Sequence, residues 1–237
     1  MLFRSMIGDA RAPRIAIVGA STSALAAAAL ILKASPALPL GAGALSILHR
    51  HKIQPFYHSE EAAQADGFTD YGPEDICPLS GFVYRLAGLR LESRELVMRM
   101  KGIGGRVADP RAALHPIAEM DETDVRAMLE QADAVIGATG YQPHAFPLFD
   151  IRGERIELRS ETGGRLVDEQ CRMMRSDGQA VPGAFAIGLA AGFVPSGPLG
   201  GEPSFRGQAN GLWLWQNDIG WMIARQVLES ARKEAAA

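Results

Sequence analysis

The stretch Ile15–Ala24, "IAIVGASTSA", limits the fold more than any other part of the chain. A short β-branched run, Arg14 to Val18, meets small and hydroxylated residues and then an alanine-rich segment. That order predicts a strand, a tight turn and a helix over Ser23 to Lys33. A second apolar run, Ala44 to His49, predicts another strand, a third, Asp133 to Ala138, a buried strand, and Val125–Gln131 and Glu92–Arg99 predict helices. The expected class is α/β, a three-layer Rossmann-like domain. At 237 residues, 47% of them hydrophobic, the chain can bury one large core or two modest ones.

A strand–turn–helix hinge aims free N–H groups and a positive dipole at a phosphate. The dinucleotide fingerprint is G-x-G-x-x-G/A. Gly19 fills the first slot, Ser21 stands in the second and Ala24 in the third, with Thr22 and Ser23 between them. A serine crowds the place where backbone approaches a pyrophosphate, so the motif is imperfect, and a plain strand-to-helix turn of another α/β fold is the alternative. The end of the second strand bears on nucleotide choice. It carries Arg50, His51 and Lys52 and no acid; Arg50 lies 31 residues after Gly19, beyond the usual ~20, and the loop "SPALPLGAG" absorbs the excess. An arginine there suits a 2′-phosphate, so NADP is expected over NAD.

Other chemistries find less support. No P-loop and no G-x-S-x-G elbow occurs, and the tyrosines at 57, 71, 84 and 141 lack a lysine four residues on. The five histidines lack metal-ligand spacing with carboxylates, so no metal is expected. Cys77 and Cys171 are too few and scattered for a disulfide framework and read as reduced, buried thiols. Asp66, Asp70, Glu74 and Asp75 read as a solvated acidic loop inside an irregular segment from Arg50 to Arg94. The net charge of −3 offers no field for nucleic acid. The longest apolar stretch, Ala24 to Leu32, falls short of the ~20 residues needed to cross a bilayer, and the start lacks the features of a secretory signal; the cytoplasm is the expected location.

Downstream, strands are expected at Glu154–Leu158, Leu166–Met173 and Ala184–Ile187. A Gly-rich loop then leads into a last helix, Leu212 to Lys233, with Trp213, Trp215 and Trp221 in the core. Arg206, Gln208 and Asn210 offer directional hydrogen bonds to a ligand, Asn210 doubling as a candidate N-cap.

Three motifs together resemble one family. "IAIVGASTSA" is similar to the second, NADPH-binding fingerprint of the flavin-containing monooxygenase-like group of two-dinucleotide-fold flavoproteins. "DAVIGATGYQP" resembles that group's ATGY segment, and "DGQAVPGAFAIGLAAG" its late strand and turn near the flavin's ribityl chain. The resemblance implies a tail at 1–13, an NADP-binding domain at 14–138, and the C-terminal part of an FAD-binding domain at 139–237. It gives Gly19, Ser21, Thr22, Ser23 and Ala24 the pyrophosphate of NADP and Arg50 the 2′-phosphate. Thr139, Gly140 and Tyr141 would lie near the nicotinamide, and Gly188, Leu189, Gln208 and Asn210 near FAD. The implied activity is that of an FAD-dependent, NADPH-using oxidoreductase. In that chemistry a flavin hydroperoxide, made with molecular oxygen, passes one oxygen atom to a small-molecule substrate. No catalytic side chain is assigned.

The chain departs from the pattern at Leu189, where many relatives carry Asp, and at Gly137, which replaces a larger apolar residue. The family's N-terminal FAD-binding half, with its own G-x-G-x-x-G, is not in the sequence. The resemblance therefore implies a natural start upstream of "MLFRS" and a large apolar face left uncovered. A flavin-dependent reductase without oxygen transfer and a non-catalytic NADP-binding module stand as alternatives.

Overall fold

The computed structural model describes residues 12–162, 165–209 and 211–235. The chain divides into two compact units, one of Met1–Tyr71 with Gly81–Gly140, the other of Gly72–Ser80 with Tyr141–Ala237.

In the first unit, β1 (Ile15–Val18) leads through a tight turn into α1 (Thr22–Leu32), followed by β2 (Leu45–His49). A short helix α2 (Glu60–Ala65), then α3 (Leu91–Met100), β3 (Ala112–Pro116), α4 (Glu122–Glu130) and β4 (Ala134–Gly137) complete it. The four strands form one parallel sheet in the order β3-β2-β1-β4. Ile17 is level with Ile47 on one side and Ile136 on the other. Ile15, Ile17, Leu45 and Ile47 are buried, with Leu25, Ala28 and Ala29 of α1 and Leu96 and Val97 of α3 packed into the same core. A helix-flanked parallel sheet of this kind is α/β and compatible with a Rossmann-like fold.

Two strands differ from expectation. β3 was not legible in "KGIGGRVADPRAALHP", because it has no β-branched residue and ends in Pro116. It lies at the sheet edge, where a proline is tolerated and pairing with β2 supplies what propensity lacks. β4, expected as a buried strand, is instead the other edge, pairing with β1 on one side; Val135 is 52% exposed.

The acidic loop is solvated only in part: Asp70 and Glu74 are exposed, whereas Asp66 and Asp75 are drawn into the fold. Asp66 receives hydrogen bonds from Tyr57 Oη at 2.8 Å and from Arg106 Nη2 at 2.8 Å. Arg106 also reaches Glu95 through Nε at 3.0 Å. Asp75 is buried, and its carboxylate accepts from the Gly72 N–H at 3.0 Å. The partner of Asp66 lies 40 residues along the chain, too far for any local pattern to announce it.

The second unit is built of short pieces. β5 (Leu148–Phe149) pairs with β6 (Arg155–Ile156), and β7 (Arg172–Met174) with β8 (Ala180–Phe185), both antiparallel. Leu166–Met173 is not one strand. Asp168 accepts from the N–H groups of Gln170 and Arg172 and folds the chain back, so that Val167 faces Met173. The last element starts as α5 (Leu212–Leu214), widens into a π turn at Trp215–Ile219, and continues as α6 (Gly220–Ala235). Trp215 is in the core with Leu158, Leu166, Phe193 and Ile219, but Trp213 and Trp221 are 72% and 73% exposed, against expectation.

Both thiols are fully buried, and burial, followed by the charge of Asp168, pushes Cys171 up to about 12. Native protein at pH 8 is therefore expected to resist alkylation at both cysteines, which react together once the chain is denatured. Mass spectrometry after a timed iodoacetamide pulse reads this directly; rapid native labelling of Cys171 would contradict the packing.

Candidate functional site

The site starts at the end of β1. Gly19 adopts φ +122°, a conformation that suits glycine, and its N–H donates to the Leu48 carbonyl at 2.8 Å. A Cβ built on Gly19 would fall 2.2 Å from the Ala138 carbonyl oxygen. The glycine thus lets β1 turn between its two neighbours, at the place where the sheet's strand order reverses. In open α/β sheets that switch point is where ligands sit.

The helix that follows opens uncapped. Ser21 is at the N-cap in extended geometry with no side-chain capping bond, and the first turn holds no acid. The first intrahelical bond is Leu25 N–H to the Ser21 carbonyl at 3.1 Å. The N–H groups before it point out of the helix end, where Ser21, Thr22 and Ser23 are exposed. Ala24 is fully buried, as close packing of helix on strand requires. Donor N–H groups, hydroxyls and a helix dipole without a competing carboxylate fit the pyrophosphate of a dinucleotide.

Arg50 follows β2 directly and is exposed. Lys52 is drawn away by Asp70 at 3.0 Å, and Lys101 approaches the same carboxylate at 3.7 Å. Asp70 was missed as a partner from sequence, since only the fold brings it near. Among the described residues Arg50 makes no ion pair, which leaves it available for a 2′-phosphate. His115, near the end of β3, is held below the usual histidine range by burial and then by the charge of His49. Thr139 and Gly140 follow β4 at the same carboxyl edge of the sheet, exposed, with Gly140 at φ +103°. The first unit therefore gathers Gly19, Ser21–Ala24, Arg50, Thr139 and Gly140 along one sheet edge.

Within the second unit, the Tyr141 carbonyl accepts from Gln208 Nε2 at 3.0 Å, and the tyrosine is 56% exposed. Gly188, at φ +88°, starts a 3₁₀ turn over Leu189–Ala191, and His144 N–H donates to the Ala190 carbonyl at 2.9 Å. Gly192 packs so tightly on Pro143 that a Cβ would sit 2.7 Å from its ring. Tyr141, Leu189 and Gln208 are thereby brought into one neighbourhood. Arg206 differs from expectation: its guanidinium donates to the Pro203 and Phe205 carbonyls of its own loop. Asn210 lies outside the described residues, and Gly211 occupies the N-cap of α5. Among the described residues no cluster of three potential metal ligands occurs, and no helix is long and apolar enough to cross a membrane.

No protein-family model matches the chain, and no solved structure matches it. The chain is similar to the CMP-5′-(3-aminopropyl)phosphonate hydroxylase of Streptomyces rubellomurinus, with 32% identity over 222 residues. The match takes in 93% of this chain and 51% of that hydroxylase, so the chain spans about half the length of the curated relative.

Proposed function

We propose that the chain is the NADPH-binding half, with part of the FAD-binding domain, of a cytoplasmic flavin monooxygenase that hydroxylates an amine-bearing small molecule. The uncapped glycine turn at the sheet's switch point carries this reading. The relative is named as a hydroxylase of an aminopropyl compound linked to CMP, which supports oxygen transfer to an amine-bearing, nucleotide-linked substrate. An amine nitrogen with a free lone pair is a suitable acceptor for an electrophilic oxygen atom.

FAD, once reduced, would supply the activation of molecular oxygen. The chain's own residues bind and orient. Gly19 and the first turn of α1 would hold the NADPH pyrophosphate, and Arg50 would hold the 2′-phosphate. Thr139, Gly140 and Tyr141, consecutive in the chain, would lie near the nicotinamide, and Gly188, Leu189 and Gln208 would border the flavin.

Melting of the purified chain with NADPH and with NADH tests the reading. NADPH is expected to raise the melting temperature more than NADH does. Arg50→Ala is expected to remove most of that preference, weakening NADPH by about tenfold or more, in keeping with loss of a charge-assisted phosphate contact. Equal responses to both nucleotides in the parent chain would overturn the assignment of Arg50. In the full-length enzyme, a hydroxylated amine formed in step with NADPH consumption would separate a monooxygenase from a reductase.

A further inference from the structure

The strand end that presents Arg50 also presents an imidazole. His49 closes β2 one residue before Arg50 and is half-buried. Its Nδ1 donates to the His51 carbonyl at 2.9 Å, a bond that requires the proton on Nδ1. The neutral ring therefore carries its lone pair on Nε2, and Nε2 is where a second proton goes. Protonation turns that acceptor into a charged donor, the kind that bonds a phosphate oxygen strongly. Lys52, next along the turn, is held by Asp70.

Little around His49 competes for that proton. β1 and β3 flank β2, the 3₁₀ turn Ile117–Glu119 packs on it, and α1 and α3 share its core. β1 and α1 carry no titratable side chain. On α3, Glu92 pairs with Lys33, Arg94 with Asp66, and Glu95 with Arg99 and Arg106. The 3₁₀ turn contributes Glu119, which is exposed to solvent. β3 contributes His115, one register step from level with His49. Burial, then the charge of His49, holds His115 below the usual histidine range, so His115 stays neutral at pH 7.

We propose that His49 is a specificity-determining residue of the 2′-phosphate seat: once charged it joins Arg50 on the phosphate, and the preference for NADPH over NADH strengthens as pH falls. This rests on the reading of Arg50 as the 2′-phosphate contact. NADH has a hydroxyl in place of that phosphate and draws no proton to the ring. The sign follows from linkage. A phosphate dianion favours the imidazolium, so binding takes up a proton, and each unit by which the ring's pKa rises is about a tenfold gain for the protonated form. Protonation of the 2′-phosphate itself, near pH 6, works the other way, because a cationic seat favours the dianion and releases protons.

Calorimetric titration of the purified chain with NADPH and with NADH tests this, at about pH 8 and about pH 6.5 in buffers of different ionisation heat. NADPH is expected to bind about three- to tenfold tighter at the lower pH and to take up part of a proton, and NADH to do neither. His49→Asn, whose amide can keep the bond to the His51 carbonyl, is expected to lose both the pH gain and the uptake. His51→Gln is expected to keep both, and the melting temperature of each variant without nucleotide verifies that it is folded. Three results would each overturn the role of His49 and leave Arg50 standing: NADPH preferred by the same factor at both pH values, uptake that persists in His49→Asn, or uptake lost in His51→Gln. No preference between the nucleotides at either pH would sink the Arg50 reading, and this inference with it.

Discussion

Gly19→Ala is expected to lower the melting temperature of the first unit by about 10 °C and to abolish its response to NADPH. The backbone at this position has φ +122°, and an added Cβ would meet the Ala138 carbonyl oxygen at 2.2 Å. A non-glycine residue held in such a region costs about 1–3 kcal/mol. Forcing β1 and β4 apart to relieve the overlap adds about 1–3 kcal/mol. At about 2–4 °C per kcal/mol for a chain of this size, the shift is easily read by calorimetry. Gly137→Ala is the control: a Cβ there meets nothing within 4 Å, so little change is expected. If Gly19→Ala melted and bound NADPH like the parent, neither the turn geometry nor the site built on it would stand.

The second large effect is expected at Asp66. Burial alone would raise its carboxyl, but the hydrogen bonds from Arg106 and Tyr57, with the charges of Arg106 and Arg94, outweigh it and hold Asp66 below the usual carboxylate range. Its side chain is 24% exposed and that of Arg106 19%, so solvent screens the pair only in part. Asp66→Ala removes the shared acceptor of Tyr57 and Arg106, and about 2–3 kcal/mol of stability should go with it. Glu95 continues the network; hydrogen bonding from Arg99 leads in holding its carboxyl low, with Arg106 adding to it.

The pH dependence follows from the direction of these shifts. A carboxylate with a depressed folded pKa gives stability that is present above its unfolded pKa, about 3.9 for aspartate. That stability is lost as pH falls through the lower folded value. The parent chain should hold its Asp66 contribution at neutral pH and shed it in acid. Asp66→Ala should be less stable at pH 7 and show a shallower decline below about pH 4. Urea melts at a series of pH values measure both; coincident curves for parent and variant would mean that the pair contributes nothing, and parallel offset curves that the Asp66 carboxyl is not held low.

What could be read from the amino-acid order was what depends on neighbours in the chain. The β1–α1 hinge was legible because a β-branched run, a glycine and small helix-forming residues act within ten positions of one another. β2 and α3 were visible for the same reason, each carrying its own apolar pattern. β3 was not, because "AALHP" becomes a strand only by pairing with β2.

The tryptophans show where periodicity fails. An unbroken α-helix carries its phase evenly, but the π turn at Trp215–Ile219 inserts an extra residue and changes which face later side chains occupy. Trp215 enters the core two positions after the exposed Trp213, on the opposite side of the helix, and the π turn then returns Trp221 to the outer side.

By itself, then, the sequence determined the parallel α/β core, the glycine turn and the basic residue after β2, since each rests on local backbone preference and hydrophobic spacing. The tertiary structure alone decided that β4 lies at an edge and that Asp70 draws Lys52 away while Arg50 makes no ion pair among the described residues. It also decided that Asp66 closes a lock with an arginine 40 residues away. Those outcomes depend on which distant groups meet, and no neighbour-to-neighbour pattern encodes that.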